Sequence, residues 1–173
     1  IGGVATKIGM DFKAGLSEVQ ALSGATGAEL QQLETRAREL GSSTKFSAKE
    51  VTEGFKYMSL AGWDVQQSLD GIDGVLDLAA ASGEDLARVS DILTDAISAF
   101  GDEAKDAGRY ADVLAAASSN ANTDVSGLGE AFKIVAPVAG SLGYSLEDTA
   151  VALGLMANAG IKGSAAGTSL RSA

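Results

Sequence analysis

The 173-residue sequence contains no cysteine and no histidine. Without cysteine there are no disulfide staples and no thiolate metal sites, a usage that fits a reducing compartment. Without histidine the commonest general base and the commonest metal ligand are both missing. Ser-His, Cys-His and zinc-hydrolase chemistry are therefore closed to the chain on its own. The expected catalytic, cofactor-binding and metal-binding residues are none, and no enzyme is expected. Basic residues are also scarce, with 13 Lys and Arg against 23 Asp and Glu and a net charge of −10. Neither half of the chain is basic, which argues against a phosphate-tracking surface and specific nucleic-acid binding. No run reaches the roughly 18 apolar residues that a membrane span needs. The longest candidate, Thr149 to Ile161, contains Asn158 and is followed at once by Lys162. Ile1-Gly2-Gly3-Val4 lacks a signal-peptide layout. Leu170-Arg171-Ser172-Ala173 falls inside a helix-like pattern. Both ends therefore read as boundaries within a longer protein.

Proline occurs once, as Pro137, and aromatics make up only 5% of the chain, yet 46% of it is hydrophobic. Alanine supplies much of that fraction and there are 22 glycines. Alanine is the best helix former and proline the residue helices avoid. The composition points to helices packed closely through small side chains. A chain of this length buries about 70% of its unfolded surface, enough for a real core. With abundant Leu, Ile, Val and Ala, it is not the composition of a disordered segment.

Helical periodicity runs through the sequence. Ile8, Phe12, Leu16, Val19 and Leu22 recur at spacings of three and four, the mark of one helix face, until Gly24 and Gly27 interrupt them. Leu30, Leu33, Ala37 and Leu40 form a second stripe that Gly41 is expected to end. Its outer face, Glu29, Glu34, Arg36, Arg38 and Glu39, reads as solvated. Ser47 and Glu50 form a capping box ahead of Val51, Phe55 and Met58. Asp64 caps the next helix, with Leu69, Ile72, Leu76 and Ala79, which stops at Gly83. Asp85 or Ser82 opens another, through Leu86, Val89, Leu93 and Ile97 to Phe100-Gly101. Asp102 is expected to cap a helix carrying Ala107, Tyr110, Leu114 and Ala117, and Ser126 the one carrying Phe132, Val135 and Val138. Pro137 should kink or split that helix. Ser145 caps a segment with Leu146, Ala150, Leu153 and Ala157 that ends at Gly160, and Ser164 begins a last one.

These segments pair into a repeat. Thr44-Lys45-Phe46-Ser47 and Thr123-Asp124-Val125-Ser126 share the form Thr-x-apolar-Ser. Each precedes a helix, then Gly62-Trp63 or Gly143-Tyr144, then a capped helix. Residues 84–120 give a middle copy with Phe100-Gly101 at its turn. The period is near 40 residues, typical of two-helix solenoid units. The expected fold is all-α: an array of antiparallel helix hairpins over 44–173, preceded by a helical lead-in over 1–43. In such an array each hairpin leaves a face uncovered until the next lies on it. The last hairpin should leave Leu153, Met156 and Leu170 short of cover, so that residues 146–173 self-associate or bind following sequence.

Other motifs have plain structural readings. Gly127-Leu128-Gly129 lacks the preceding strand and the third glycine of a dinucleotide loop. Asn120, Asn122, Asp124 and Ser126 alternate like calcium ligands, but Val125 and Ala131 stand where such a loop needs Gly and Glu. Asp70, Asp73 and Asp77 share one helix face, which reads as solvated. Trp63 and Tyr144 read as aromatic plugs at equivalent turns, where helices diverge, rather than as partner anchors. Gly163 and Gly167 read as a helix start or a close helix contact in water, given Lys162 and Arg171 beside them.

An ordered set of segments carries a family resemblance. In sequence these are Thr44-Lys45-Phe46-Ser47, Glu53-Gly54-Phe55, Leu60-Ala61-Gly62-Trp63 and Asp73-Gly74-Val75-Leu76-Asp77-Leu78-Ala79-Ala80-Ala81-Ser82-Gly83. Tyr110-Ala111-Asp112-Val113-Leu114-Ala115 and Ala136-Pro137 follow, then Met156-Ala157-Asn158-Ala159-Gly160-Ile161-Lys162-Gly163-Ser164-Ala165-Ala166-Gly167-Thr168-Ser169-Leu170-Arg171. Residues 44–173 resemble the conserved core region of the TP901-type phage tail tape measure family, truncated at its C-terminal end. The resemblance implies a structural scaffold, not an enzyme, in the tail lumen of a phage or prophage virion and in host cytoplasm during assembly. It implies a part in setting tail length and release at DNA ejection. The implied partners are further copies of itself, the tail tube protein and tail assembly chaperones. Membrane contact would fall to other parts of the full-length protein. No cofactor is implied. The alternative is a free-standing helical-repeat adaptor that binds a protein in its groove, which explains the period but not the ordered segments.

Overall fold

The structure, a computed structural model, describes residues 2–173, with side chains from residue 9 onward. Ile1, and the side chain of Ile8 expected in the first stripe, lie outside the described residues. Among the described residues there are nine α-helices and no strand: α1 (Gly2–Ser23), α2 (Gly27–Ser43), α3 (Ala48–Leu60), α4 (Val65–Ser82), α5 (Leu86–Phe100), α6 (Ala107–Asn120), α7 (Val125–Ser141), α8 (Leu146–Asn158) and α9 (Gly163–Arg171). One turn of 3-10 helix, Ala104–Asp106, precedes α6.

Local chemistry sets the starts. The Ser47 hydroxyl accepts from the Glu50 amide while the Glu50 carboxylate accepts from the Ser47 amide. Asp64 and Gln67 do the same at α4, and Thr26 and Glu29 at α2. Asp85 and Ser145 cap α5 and α8. Such a cap satisfies amides that the first helical turn leaves without a partner, and is worth about 1 kcal/mol. Left-handed glycines set many of the stops. Gly62, Gly83, Gly101, Gly143 and Gly160 all have φ between 74° and 90°, a region cheap only for glycine.

Three local expectations are corrected and a fourth is narrowed. Asp124, not Ser126, caps α7, accepting from the Gly127 amide; Ser126 lies within the first turn and its hydroxyl accepts from Arg88 Nε. Asp102 caps nothing: its carboxylate accepts from the Tyr110 hydroxyl at 2.8 Å. Gly41 does not end α2, which runs on to Ser43. A Cβ there would stand 2.5 Å from the Ala48 amide, so Gly41 lets α3 start against α2. Pro137 does not split α7, which continues past it to Ser141, and the proline is exposed.

The helices lie in two rows. α1, α3, α5, α7 and α9 pack side by side in one, and α2, α4, α6 and α8 in the other. Consecutive helices cross from row to row, so the core is a sandwich between rows, filled by Phe55, Met58, Ile72, Leu93, Tyr110 and Phe132. Burying such side chains stabilises by about 1.5–3 kcal/mol each. Within a row, glycine lets helices touch. A Cβ on Gly129 would stand 2.5 Å from Ile92 Cγ1, and one on Gly167 would stand 2.5 Å from the Ala131 carbonyl oxygen. Gly167 thus makes the close helix contact, while Gly163, at φ 56°, opens α9.

Ion pairs join four pairs of row neighbours. Glu18 pairs with Lys56, Arg36 with Asp73, Arg88 with Glu130, and Arg109 with Glu147. Their separations of 37 to 42 residues mark the repeat. Exposed pairs of this kind contribute about 0–1 kcal/mol, so the apolar sandwich holds the rows and the pairs set their register.

Candidate functional site

The two ends of the stack differ in chemistry. At one end α2 turns Gln31, Gln32, Thr35, Arg38 and Glu39 to solvent. Arg38 also lies over the Phe12 ring at 4.6 Å. In the other row the outer helix, α1, leaves Met10 66% and Leu22 43% exposed. At the other end apolar side chains stand in the open. Leu142 is 68% exposed, Tyr144 60%, Val151 63% and Leu155 66%.

Two concavities lie among these residues. One, of about 450 Å³, is walled by Val135, Val138 and Leu142 of the α7 end, Tyr144, Ala152 of α8, and Leu170 and Arg171 of α9. The other, of about 410 Å³, runs between α6 and α8 over Val113, Ala117, Ala150, Val151, Gly154 and Leu155, with Asn120 and Asn158 at one end. Both are lined mainly by carbon, the character of a surface that receives an apolar side chain.

The sequence pattern located this region, was wrong about Leu153 and missed the most exposed residues. Leu153 is buried at 1% exposure, and Met156 and Leu170 are half-buried. The uncovered face is turned about one residue around α8, onto Val151 and Leu155. Tyr144 corrects the reading of paired plugs. Trp63 is 6% exposed and lies across Gly71, which has no Cβ to obstruct the ring, whereas Tyr144 is open.

The polar motifs have local partners. The Asn120 side-chain amide donates to the Ala116 carbonyl, and the Asn122 backbone amide donates to Asn158 Oδ1. With Asp124 and Ser126 in the bonds given above, the four residues point to separate tasks. Among the described residues no three carboxylates come together as a metal cluster. Asp73 is bound by Arg36 Nη2 at 2.6 and 2.8 Å, and Asp70 accepts from Gln66. Gly127 lies in the first turn of α7 and Gly129 against Ile92, so that segment is a helix contact.

Perturbed side chains trace structural bonds. Burial raises the Tyr110 phenol well above its ordinary range, and its bond to Asp102 adds to the effect. The Ser47 backbone bond lowers Glu50, and Arg88 lowers Glu130. None of these groups lines either concavity.

The model of a family described as phage-related minor tail protein matches residues 34–173. The chain belongs to this family. Two curated relatives of this minor tail protein are similar over nearly its whole length. The tape measure protein of Pneumococcus phage Dp-1 is 50% identical over 167 residues, which is 96% of this chain and 14% of that protein. The probable tape measure protein of Escherichia phage P2 is 32% identical over 165 residues, 94% of this chain and 20% of that protein. The minor tail protein chain thus spans a seventh to a fifth of these relatives. No solved structure matches it. Among its described residues no helix is long and apolar enough to cross a membrane.

Proposed function

We propose that this chain is a segment of a tape measure protein of the TP901 type: residues 1–43 form the lead-in and residues 44–173 the repeat core. In this reading the protein lies in the lumen of the phage tail, sets tail length during assembly in the host cytoplasm, and leaves at DNA ejection. It works in several copies, with the tail tube protein and assembly chaperones, and it carries no catalytic centre of its own here. The observation that carries the reading is the 50% identity to a tape measure protein over 96% of the chain. The fold suits the task, since every element is helix and a helix adds about 1.5 Å of length per residue.

The test is genetic and is read by electron microscopy. Duplicating residues 84–121 in the phage genome adds one whole hairpin, about 57 Å if it is laid out as helix. Tails lengthened by a fixed increment support the reading. Normal yields of tails with unchanged length overturn it.

A further inference from the structure

The first and third hairpins of the repeat core align through their turns, Gly62-Trp63-Asp64 and Gly143-Tyr144-Ser145. The same offset places Gly71 at Ala152 and Gly74 at Leu155. In the first hairpin these positions are covered by what comes next. The turn Ala104–Asp106 packs over α4, with the Ala104 carbonyl 3.4 Å from a Cβ built on Gly71. A Cβ on Gly74 would meet the Ala107 backbone of α6 at 2.5 Å. In the third hairpin the equivalent residues have no cover. Tyr144 and Leu155 are 60% and 66% exposed, and Ala152 lines the 450 Å³ notch. One row already extends past this hairpin, because α9 lies on α7; the other row stops at α8.

We propose that this notch and the adjoining face of α8 seat a helix of the same polypeptide, the one that follows α9 in the longer tail protein and continues the row of α2, α4, α6 and α8. Three observations select that occupant. Leu170 and Arg171 of α9 already form one wall of the notch. A turn as short as the one from Leu60 to Val65 would therefore bring the next helix into it. A second copy stacking head to tail would set the mostly polar face of α2, with Gln31, Gln32, Thr35 and Arg38, against Leu155. Two copies meeting notch to notch would bring together two segments that each carry a net charge of −10 over their whole length, which opposes a closed pair. The two curated relatives, of which this chain spans 14% and 20%, have ample chain for such a helix.

The substitution of leucine for glycine gives the occupant a specific feature. α6 touches α4 backbone to backbone at Gly74; at Leu155 an isobutyl group stands in that place. The incoming helix lies farther from α8 than α6 lies from α4, and it carries a small residue, Gly, Ala or Ser, opposite Leu155. Tyr144 then packs beneath its first turn, as Trp63 packs beneath residues 104–106.

The inference rests on the tape measure reading only for the length of the polypeptide. It is tested in the full-length protein, with the photo-reactive residue benzoylphenylalanine in place of Tyr144 in one variant and of Leu155 in another. The preparation mixes isotopically light and heavy chains, and cross-linked peptides are identified by mass spectrometry. The expected result is links within one chain from both positions to a single helix inside about 40 residues of α9, one repeat on. Light-to-heavy links between copies would overturn the proposal in favour of self-association. Links to another tail protein would assign the face to that partner, and no link from either position would leave the face open; both outcomes sink the proposal. Tail length in the duplication experiment is independent of all these results, so the two readings fail separately.

Discussion

Gly74 of α4 meets Ala107 of α6 so closely that a single added methyl would stand 2.5 Å from the Ala107 carbonyl carbon and 2.7 Å from its oxygen. Gly108, the next residue along α6, has nothing within 4 Å of the same construction. The two glycines are neighbours in space and opposite in role. One is required by packing, and the other leaves a helix with unused stability.

Gly74→Ala is therefore expected to destabilise the chain by about 1–3 kcal/mol, because the row must open to admit the methyl. Gly108→Ala is expected to stabilise it by about 0.5–1 kcal/mol through helix propensity alone. Urea unfolding of the two variants beside the parent checks the pair. Equal effects of the same sign would mean that the α4–α6 contact is looser than described.

The turn glycines are expected to fail for a different reason. Gly62 and Gly143 have open space around them but φ of 90° and 81°. Valine at either position is expected to lose about 1–2 kcal/mol to backbone strain. Gln66→Val, on an exposed helical position, should stay within about 0.5 kcal/mol. Thermal melts of the three variants decide. Similar losses at all three would show that these turns do not depend on the left-handed conformation.

Tyr110→Phe tests the one buried phenol. Its ring is fully buried and its hydroxyl donates to Asp102. Arg109 lies 3.6 Å from the same carboxylate, and Asp102 keeps contact with water. The loss is therefore expected near the lower end for a hydrogen bond to a charged group, about 1.5 kcal/mol. Asp102→Ala should lose a similar amount, and the double variant little more than either alone. Additive losses would show that the two side chains act separately.

The pH dependence follows from the signs. Backbone bonds from Thr26 and Ser47 lower Glu29 and Glu50, and Arg88 lowers Glu130. These carboxylates stabilise the fold above about pH 4.3, their unfolded value, and lose that contribution as the pH falls through their lower folded values. Glu18, Glu103 and Asp95 raise Lys56, Lys105 and Lys133, and burial raises Tyr110. Their contribution is present below about pH 10 and lost above it. The chain has no histidine, the side chain whose ordinary value falls between these limits. The melting temperature is expected to be level from about pH 6 to pH 9 and to fall on both sides. A midpoint near pH 6.5 would contradict it.

What could be read in the sequence was what depends on near neighbours. Ser47 with Glu50 and Asp64 with Gln67 sit three residues apart, so their capping boxes are visible without a structure. Asp102 was misread because aspartate at a turn has two uses, and its true partner, Tyr110, lies beyond the next turn. Gly41 was misread because glycine both ends helices and admits close neighbours, and only the position of Ala48 separates the two. Tyr144 and Trp63 look alike in sequence. They differ in their surroundings, since Trp63 lies against Gly71 beside the Ala104 carbonyl and Tyr144 is 60% exposed, and no local pattern records that.

The ion pairs between row neighbours carry a mechanical consequence. Among the described residues each of the four bridges about one repeat, so each ties a helix only to its neighbour in the row. Five helices side by side, at 8–10 Å per step, make a row about 40 Å long. The same 173 residues drawn out as one continuous helix would reach about 260 Å. The fold thus packs the chain into less than a sixth of the length that one continuous helix would take.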